Sequence, residues 1–208
     1  ARAMLQEEKP LFLIGSPVCT PWCSWQALND ARRDPEVVRR EKVRSMVHLK
    51  FVESLYREQM ENGRYFIHEH PEWATSWATP PIAGLMNDER VRRVRADQCM
   101  YGAKVQFGSL RGKPILKPTG FMSNAHVLLE SLTKRCLRKH DHAVVSGRIA
   151  RDAARYPDGL CRAIIDGMMN QMKADGKILP GCVGLQPAFE VSVVDEPKNA
   201  ALYSKGYK

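Results

Sequence analysis

The amino-acid sequence predicts an α/β fold in which helices flank a parallel β-sheet. An unbroken apolar run over residues 11–15 has the character of a short buried strand. A long helical pattern then begins at Asp34, which is an N-cap residue followed by Pro35 at the first helical position. A second strand pattern covers residues 64–68. Strand, helix and strand in this order form a βαβ unit, and such a unit requires parallel strands.

The bulk composition fits one globular domain. The chain has 208 residues, of which 44% are hydrophobic, and this is enough for a sizeable core. No apolar run approaches the roughly 20 residues of a membrane-spanning helix, so we expect no membrane partner. The six cysteines are dispersed, so we interpret them as reduced thiols of an intracellular protein. We expect an α/β domain over residues 1–178 and a C-terminal extension over residues 179–208.

The long helix, residues 35–60, should pack on the sheet through an apolar stripe. The stripe consists of Val43, Val47, Phe51 and Leu55, widened by Leu49, Val52, Tyr56 and Met60. Residues 90–95 fit either a strand or a helix. Residues 103–124 are rich in glycine and proline and predict a hairpin or extended loops.

Two further helices are predicted in the second half of the chain. The first begins at Ser123 or Asn124 and reaches about Leu137. The second opens at Tyr156-Pro157 and stops at Gly176, with one face formed by Cys161, Ile164, Ile165, Met168 and Met172. Residues 189–194 are the last strand candidate.

A net charge of +9 favours polyanionic partners such as nucleic acid. The positive charges cluster in two stretches, residues 90–95 and 103–117. The candidate phosphate contacts are Arg92, Arg93, Arg95, Lys104, Arg111, Lys113 and Lys117. The alternative is a solvated charged face.

Cys19 and Glu69 follow the ends of the two predicted parallel strands. Because the carboxyl ends of such strands meet at one sheet edge, where open α/β sheets bind ligands, the two side chains should share a pocket. A thiol there is a candidate nucleophile. The alternative is a turn thiol and a surface carboxylate. We interpret Cys23 as structural.

Four tryptophans, Trp22, Trp25, Trp73 and Trp77, fall just after the same strand ends. They could stack on a nucleic-acid base or cover the open sheet edge, and we favour covering.

Cys136, His140 and His142 have a spacing compatible with zinc, with Cys99 as a candidate fourth ligand. No Cys-x-x-Cys pair accompanies them. We therefore interpret the histidines as part of a polar loop and assign no metal.

The order of these features resembles the cytosine-5 DNA methyltransferase family. The resemblance lies in Ser16-Pro17-Val18-Cys19, Phe66-Ile67-His68-Glu69-His70-Pro71, Asp97-Gln98-Cys99-Met100-Tyr101-Gly102 and the segment that opens at Tyr156-Pro157. A closer similarity is to the methyltransferase-like segment in polyproteins of eukaryotic retrotransposon-like elements. That similarity includes Glu-His-Pro-x-x-Ala-Thr-Ser-Trp and Lys-Pro-Thr-Gly-Phe-Met-Ser-Asn.

The resemblance implies a Rossmann-like methyltransferase sheet, here its carboxyl half, flanked by helices. It implies that Cys19 adds to C6 of a flipped-out cytosine and that Glu69 contacts N3, with S-adenosylmethionine as the methyl donor. Such a thiolate needs a lowered pKa, for which Arg44 and His48 are candidate neighbours.

Two functional hypotheses stay open. The first is a cytosine-5 methyltransferase-like domain of a mobile-element polyprotein, associated with nucleic acid and either active or no longer catalytic. The second is a non-enzymatic basic subunit or binding module within a larger nucleic-acid or protein assembly. The family's glycine-rich cofactor loop would precede the first strand, where this chain has only residues 1–10, so we expect the chain to be a piece of a longer protein.

Overall fold

The computed structural model describes residues 1–178, so the extension 179–208, with Cys182 and the strand candidate 189–194, lies outside the described residues. The helices are α1 (Arg2–Glu8), α2 (Ser24–Asp30), α3 (Pro35–Glu61), α4 (Pro80–Met86), α5 (His126–Glu130), α6 (Gly147–Asp152) and α7 (Asp158–Ala174). The strands are β1 (Phe12–Gly15), β2 (Tyr65–Pro71), β3 (Arg92–Asp97) and β4 (Pro118–Ser123). None of the described helices combines the length and the apolar character needed to cross a membrane.

The four strands form one mixed sheet in the order β1-β2-β4-β3. β1 and β2 are parallel, with Phe12 opposite Tyr65 and Gly15 opposite His68, so the predicted βαβ unit is confirmed. β4 runs antiparallel to both of its neighbours. Three strands therefore share one direction, and the reversed β4 lies between two of them.

Helices α3 and α4 cover one face of the sheet. The buried residues of this layer include Leu49, Tyr56, Phe66, Trp77, Ile82 and Met122. The predicted stripe on α3 is wrong in its first three members, because Val43, Val47 and Phe51 are exposed by 52%, 63% and 38%. Successive residues four apart rotate by about 40° around a helix, so a stripe of this kind leaves the packed face within three turns. The widening residues Leu49, Tyr56 and Met60, together with Leu55, are the buried ones.

Helices α5 and α7 cover the opposite face, against Ile67, Phe121 and their neighbours. The predicted α7 face is wrong for Cys161 and Ile165, which are exposed. The buried residues of α7 are Leu160, Ile164, Gly167 and Gln171. A Cβ on Gly167 would lie 2.9 Å from the carbonyl oxygen of Leu128, so this glycine lets α7 approach α5 closely and determines which face is buried.

Strand β4 occupies the centre of the sheet, where the sequence predicted only a hairpin or loops. Its proline, Pro118, is the first residue of the strand, a position that proline tolerates. Gly120 is required because a Cβ there would lie 2.7 Å from the Trp77 ring and 3.0 Å from Nε of Arg93. The strand was not predicted because proline and glycine usually indicate turns.

Helix α5 ends at Glu130 and not near Leu137. Beyond it the chain follows the end of β3, where Asp97 N–H donates to the Lys134 carbonyl (3.0 Å) and Cys136 N–H donates to Asp97 Oδ2 (2.8 Å). These hydrogen bonds occupy backbone groups that a longer helix would need for its own hydrogen bonds.

Candidate functional site

The loop after β1 carries Cys19 at the start of a 3-10 turn, Thr20–Trp22. The turn closes with a bond from Trp22 N–H to the Cys19 carbonyl (2.9 Å), and the Trp22 side chain is buried beneath it. A Cβ on Gly15 would collide with the Tyr56 hydroxyl, so the end of β1 lies directly against α3. Cys19 is thus held by a loop whose base and turn are both packed.

The end of β2 fixes the same loop from the other side. His70 is fully buried, with Nε2 3.0 Å from the Pro17 carbonyl oxygen and Nδ1 2.5 Å from Ser76 Oγ. The carbonyl can only accept, so Nε2 carries the proton and Nδ1 accepts from Ser76. Burial lowers the pKa of His70 to about 4, and the neutral ring therefore fastens the Cys19 loop to β2 at neutral pH.

Glu69 points to the sheet face opposite His70 and is 6% exposed. Its Oε1 lies 3.8 Å from Lys117 Nζ, and among the described residues that oxygen accepts no hydrogen bond. Burial raises the pKa of Glu69, while Lys117 and the hydroxyls of Tyr156 and Ser16 oppose the rise. These two hydroxyls are themselves 2.7 Å apart. A buried carboxyl oxygen without a hydrogen-bond partner is a group that a ligand can satisfy.

Cys19 and Glu69 lie close enough for the Glu69 charge to act on the thiol, but Glu69 is not among the residues that line the cavity beside Cys19. Burial raises the pKa of the Cys19 thiol and the Glu69 charge raises it further, whereas Lys117 lowers it. The cation beside this thiol is therefore Lys117. Arg44 and His48, the candidates from the sequence, are exposed on α3. In this state Cys19 is a protonated thiol at neutral pH.

A cavity of about 300 Å³ opens beside Cys19. Its lining includes Cys23, Trp25, Trp73, Lys117 and Val145. Trp22 and Trp77 are buried and cover the sheet, as we favoured, whereas Trp25 and Trp73 are 70% and 61% exposed at the cavity. The tryptophans thus divide into two that pack in the core and two that expose ring surface at the cavity, where the Arg95 guanidinium lies 5.1 Å from the centre of the Trp73 ring.

A second cavity, of about 430 Å³, has Tyr156 in its lining. Its walls come from residues 101–107 and from the start of α7, and they include Lys104, Phe107 and Asp158. Ala153 lines both cavities, so the two cavities are neighbours.

The candidate phosphate contacts divide into paired and unpaired side chains. Arg93 forms an ion pair with Glu72 (2.7 Å) and Arg95 with Asp97 (3.0 Å), while Lys117 belongs to the Cys19 site. Within residues 1–178 the remaining four form no ion pair, and these are Arg92, Lys104, Arg111 and Lys113. They are the members of the set best placed to meet phosphates.

S-adenosylmethionine, the cofactor that the resemblance implies, does not fit the lining of the cavity beside Cys19. A nucleotide cofactor uses glycines where the backbone approaches it closely. The tightly packed glycines here face the chain's own atoms, since Gly15 meets Tyr56, Gly120 meets Trp77 and Gly159 meets the Tyr101 backbone. The lining of the cavity beside Cys19 contains no glycine, so that cavity offers this cofactor no close approach to a glycine backbone.

Sequence reasoning missed three members of the site. The sequence predicted Lys117 as a phosphate contact, Tyr156 as part of the start of a helix, and Ser16 only as part of a motif. The signal for Tyr156 was its position directly before the proline that opens α7. A group of side chains that could hold a metal comes together at the end of β3, separate from the Cys19 site. It consists of Cys99, Cys136, His140 and His142.

Comparison with known proteins does not identify the chain: no family model, no curated protein and no solved structure matches it.

Proposed function

We propose that this chain is a cytosine-5 methyltransferase-like domain of a mobile-element polyprotein that binds nucleic acid and acts on a pyrimidine base with Cys19 and Glu69. The observation that carries the proposal is the placement of a thiol, a carboxyl group and an ammonium group at the carboxyl edge of two parallel strands. The mixed sheet, with three strands in one direction and one reversed, is compatible with the carboxyl half of a Rossmann-like sheet.

The site chemistry suits addition to a cytosine ring. Cys19 gives its proton to the Glu69 carboxylate, and the resulting thiolate forms a bond to C6. The ring π electrons shift through C5 and C4 to N3, which takes the proton from Glu69. One proton leaves sulfur and one arrives at N3, so the step is balanced. Lys117 offsets the single negative charge that Cys19 and Glu69 share before the base binds.

The base has to leave its stack to reach Cys19. Trp25 and Trp73 offer exposed ring faces at the cavity, and base stacking on such rings stabilises binding by about 1–3 kcal/mol per base. Single-stranded nucleic acid avoids the cost of unpairing and is the substrate class that this pocket favours.

Fluorescence anisotropy with a labelled single-stranded oligonucleotide tests the nucleic-acid part of the proposal. Replacing Arg92, Lys104, Arg111 and Lys113 together by glutamine should weaken binding and reduce the salt slope by about 0.7 for each phosphate that the variant no longer neutralises. The matched control replaces four exposed cations of α3 by glutamine, namely Arg39, Arg40, Arg44 and Lys50. Equal weakening of oligonucleotide binding in both variants would show that these four side chains are not the specific contacts.

The second candidate function is a non-enzymatic binding module, and the absence of glycine from the lining of the Cys19 cavity favours it. Such a module would bind nucleic acid with the same salt dependence and would leave the C5 hydrogen of cytosine unexchanged. The two candidate functions are therefore distinguished by exchange of the C5 hydrogen and not by nucleic-acid binding.

A further inference from the structure

Four side chains with nitrogen or sulfur ligand atoms converge beside the end of β3. Cys99 lies in the 3-10 turn Gln98–Tyr101, and Cys136, His140 and His142 lie in the segment after α5. One ligand atom from each side chain lies within 4.8 Å of the other three. They come from two segments that the fold, and not the local sequence, brings together.

The spacing of these atoms matches a tetrahedral metal site. Zinc–sulfur bonds of about 2.3 Å and zinc–nitrogen bonds of about 2.0–2.1 Å at tetrahedral angles place sulfur and nitrogen about 3.6 Å apart. Cys136 Sγ lies 3.6 Å from His140 Nε2 and 3.5 Å from His142 Nε2. The two imidazoles are inclined by 61°, so both can direct a nitrogen at one point without stacking.

The backbone around Cys136 is held in a form that suits a metal-bound thiolate. Asp97 Oδ2 accepts the Cys136 N–H at 2.8 Å, and Asp97 is itself buried. Arg138 adopts a left-handed conformation with φ of 55°, which is uncommon for a residue other than glycine. Its N–H thereby donates to Cys136 Sγ at 3.3 Å, and a thiolate accepts such a bond better than a thiol does.

We propose that Cys99, Cys136, His140 and His142 bind one zinc ion. Two thiolates and two imidazoles form a donor set that suits zinc, and four protein ligands leave no open position, which is typical of a structural site. This inference goes beyond the proposed function and does not depend on it.

The zinc ion would fasten residues 136–142 to the end of β3. The same segment continues into Ala143, whose N–H donates to the Pro114 carbonyl (2.9 Å), and Val145, which lines the Cys19 cavity. The metal therefore stabilises one wall of the candidate site without touching its reacting groups.

Metal analysis of the full chain purified without chelator tests the proposal. We expect about one zinc ion per chain in the wild type and less than about a tenth of that in Cys136→Ser and in Cys99→Ser. Cys161→Ser and His48→Asn, both at exposed positions, are the matched controls and should retain the metal.

Cobalt substitution of the wild type gives a second readout that does not depend on the folding of the variants. Tetrahedral Co²⁺ with two thiolates should show intense visible bands and thiolate-to-cobalt charge-transfer bands in the near ultraviolet. A wild type without stoichiometric metal, a weak octahedral cobalt spectrum, or a Cys99–Cys136 disulfide in protein prepared under reducing conditions would overturn the proposal. Full zinc content in both cysteine variants would overturn it as well.

Discussion

Lys117 Nζ lies 3.8 Å from Glu69 Oε1 at the carboxyl edge of β1 and β2, and it also donates to the carbonyl of Ala153 (3.1 Å). This lysine is therefore the positive charge that both Glu69 and Cys19 experience. Lys117 should therefore increase the reactivity of the Cys19 thiol, and Glu69 should decrease it.

The alkylation rate of Cys19 should rise in Glu69→Gln and fall in Lys117→Met. Glu69 raises the pKa of the thiol and Lys117 lowers it, so the two changes shift the thiolate fraction in opposite directions. We expect changes of roughly threefold to tenfold at mildly alkaline pH, where a full pKa unit gives tenfold. Iodoacetamide labelling read peptide by peptide measures the rate, with exposed Cys161 as the internal control. Rates that move in the same direction in both variants would contradict this electrostatic arrangement.

Trp25→Ala and Trp73→Ala should weaken binding of single-stranded DNA, and neither should lower the melting temperature strongly. Both rings are exposed at the cavity, so their removal abolishes stacking and little core packing. Trp77→Ala is the contrasting variant, because that ring is 6% exposed and packs in the core. Anisotropy and thermal unfolding separate the two effects. Unchanged affinity in the first two variants would exclude stacking at this cavity.

His70 should make the stability of the fold depend on pH. Its pKa falls from 6.5 to about 4, so its neutral form stabilises the fold fully above about pH 6.5, and this contribution disappears as the pH falls toward 4. Between about pH 7 and pH 5 the loss should be about 2 kcal/mol.

His70→Gln should flatten this part of the pH dependence, because the amide can donate to Pro17 and accept from Ser76 without titrating. Urea unfolding at several pH values measures the effect, with His48→Gln on exposed α3 as the control. A variant with the full wild-type slope would show that another group is responsible.

Gly120→Ala should destabilise the protein, whereas Gly84→Ala should not. The new Cβ at position 120 would lie 2.7 Å from the Trp77 ring, and relieving this clash should cost about 1–3 kcal/mol. At position 84, inside α4, the new Cβ would meet Arg57 at an ordinary 3.5 Å, and alanine favours a helix more than glycine does. Denaturant unfolding of both variants checks the contrast. Equal stability of the two would contradict the packing of β4 against Trp77.

The sequence predicted the βαβ unit because its signals are local. A short apolar run, a capped helix and a second apolar run specify a parallel pair, and the pair places Cys19 near Glu69 without further information. The central strand β4 escaped prediction because Pro118 and Gly120 are turn formers in most settings. Their use here depends on Trp77, which is distant in the sequence.

The electrostatics of the site and the Cys–His group depend on contacts across long sequence separations. Lys117 reaches Glu69 only because β4 pairs with β2. Cys99 lies close to Cys136 only because α5 ends at Glu130 and the Cys136 N–H then donates to Asp97. The position of Lys117 does not follow from spacing along the chain, whereas the spacing did indicate Cys136, His140 and His142, with Cys99 as a candidate, but not that the four converge.

Release of tritium from the C5 position of cytosine reports directly whether Cys19 adds to the ring. Addition of Cys19 to C6 followed by protonation at C5 exchanges this hydrogen with water and needs no methyl donor. We expect the wild type to release tritium from single-stranded DNA labelled at C5 of cytosine. Cys19→Ser and Glu69→Gln should fall to the background rate, whereas Cys161→Ser should not. No release by the wild type, or the same release by Cys19→Ser, would contradict addition of Cys19 to the ring.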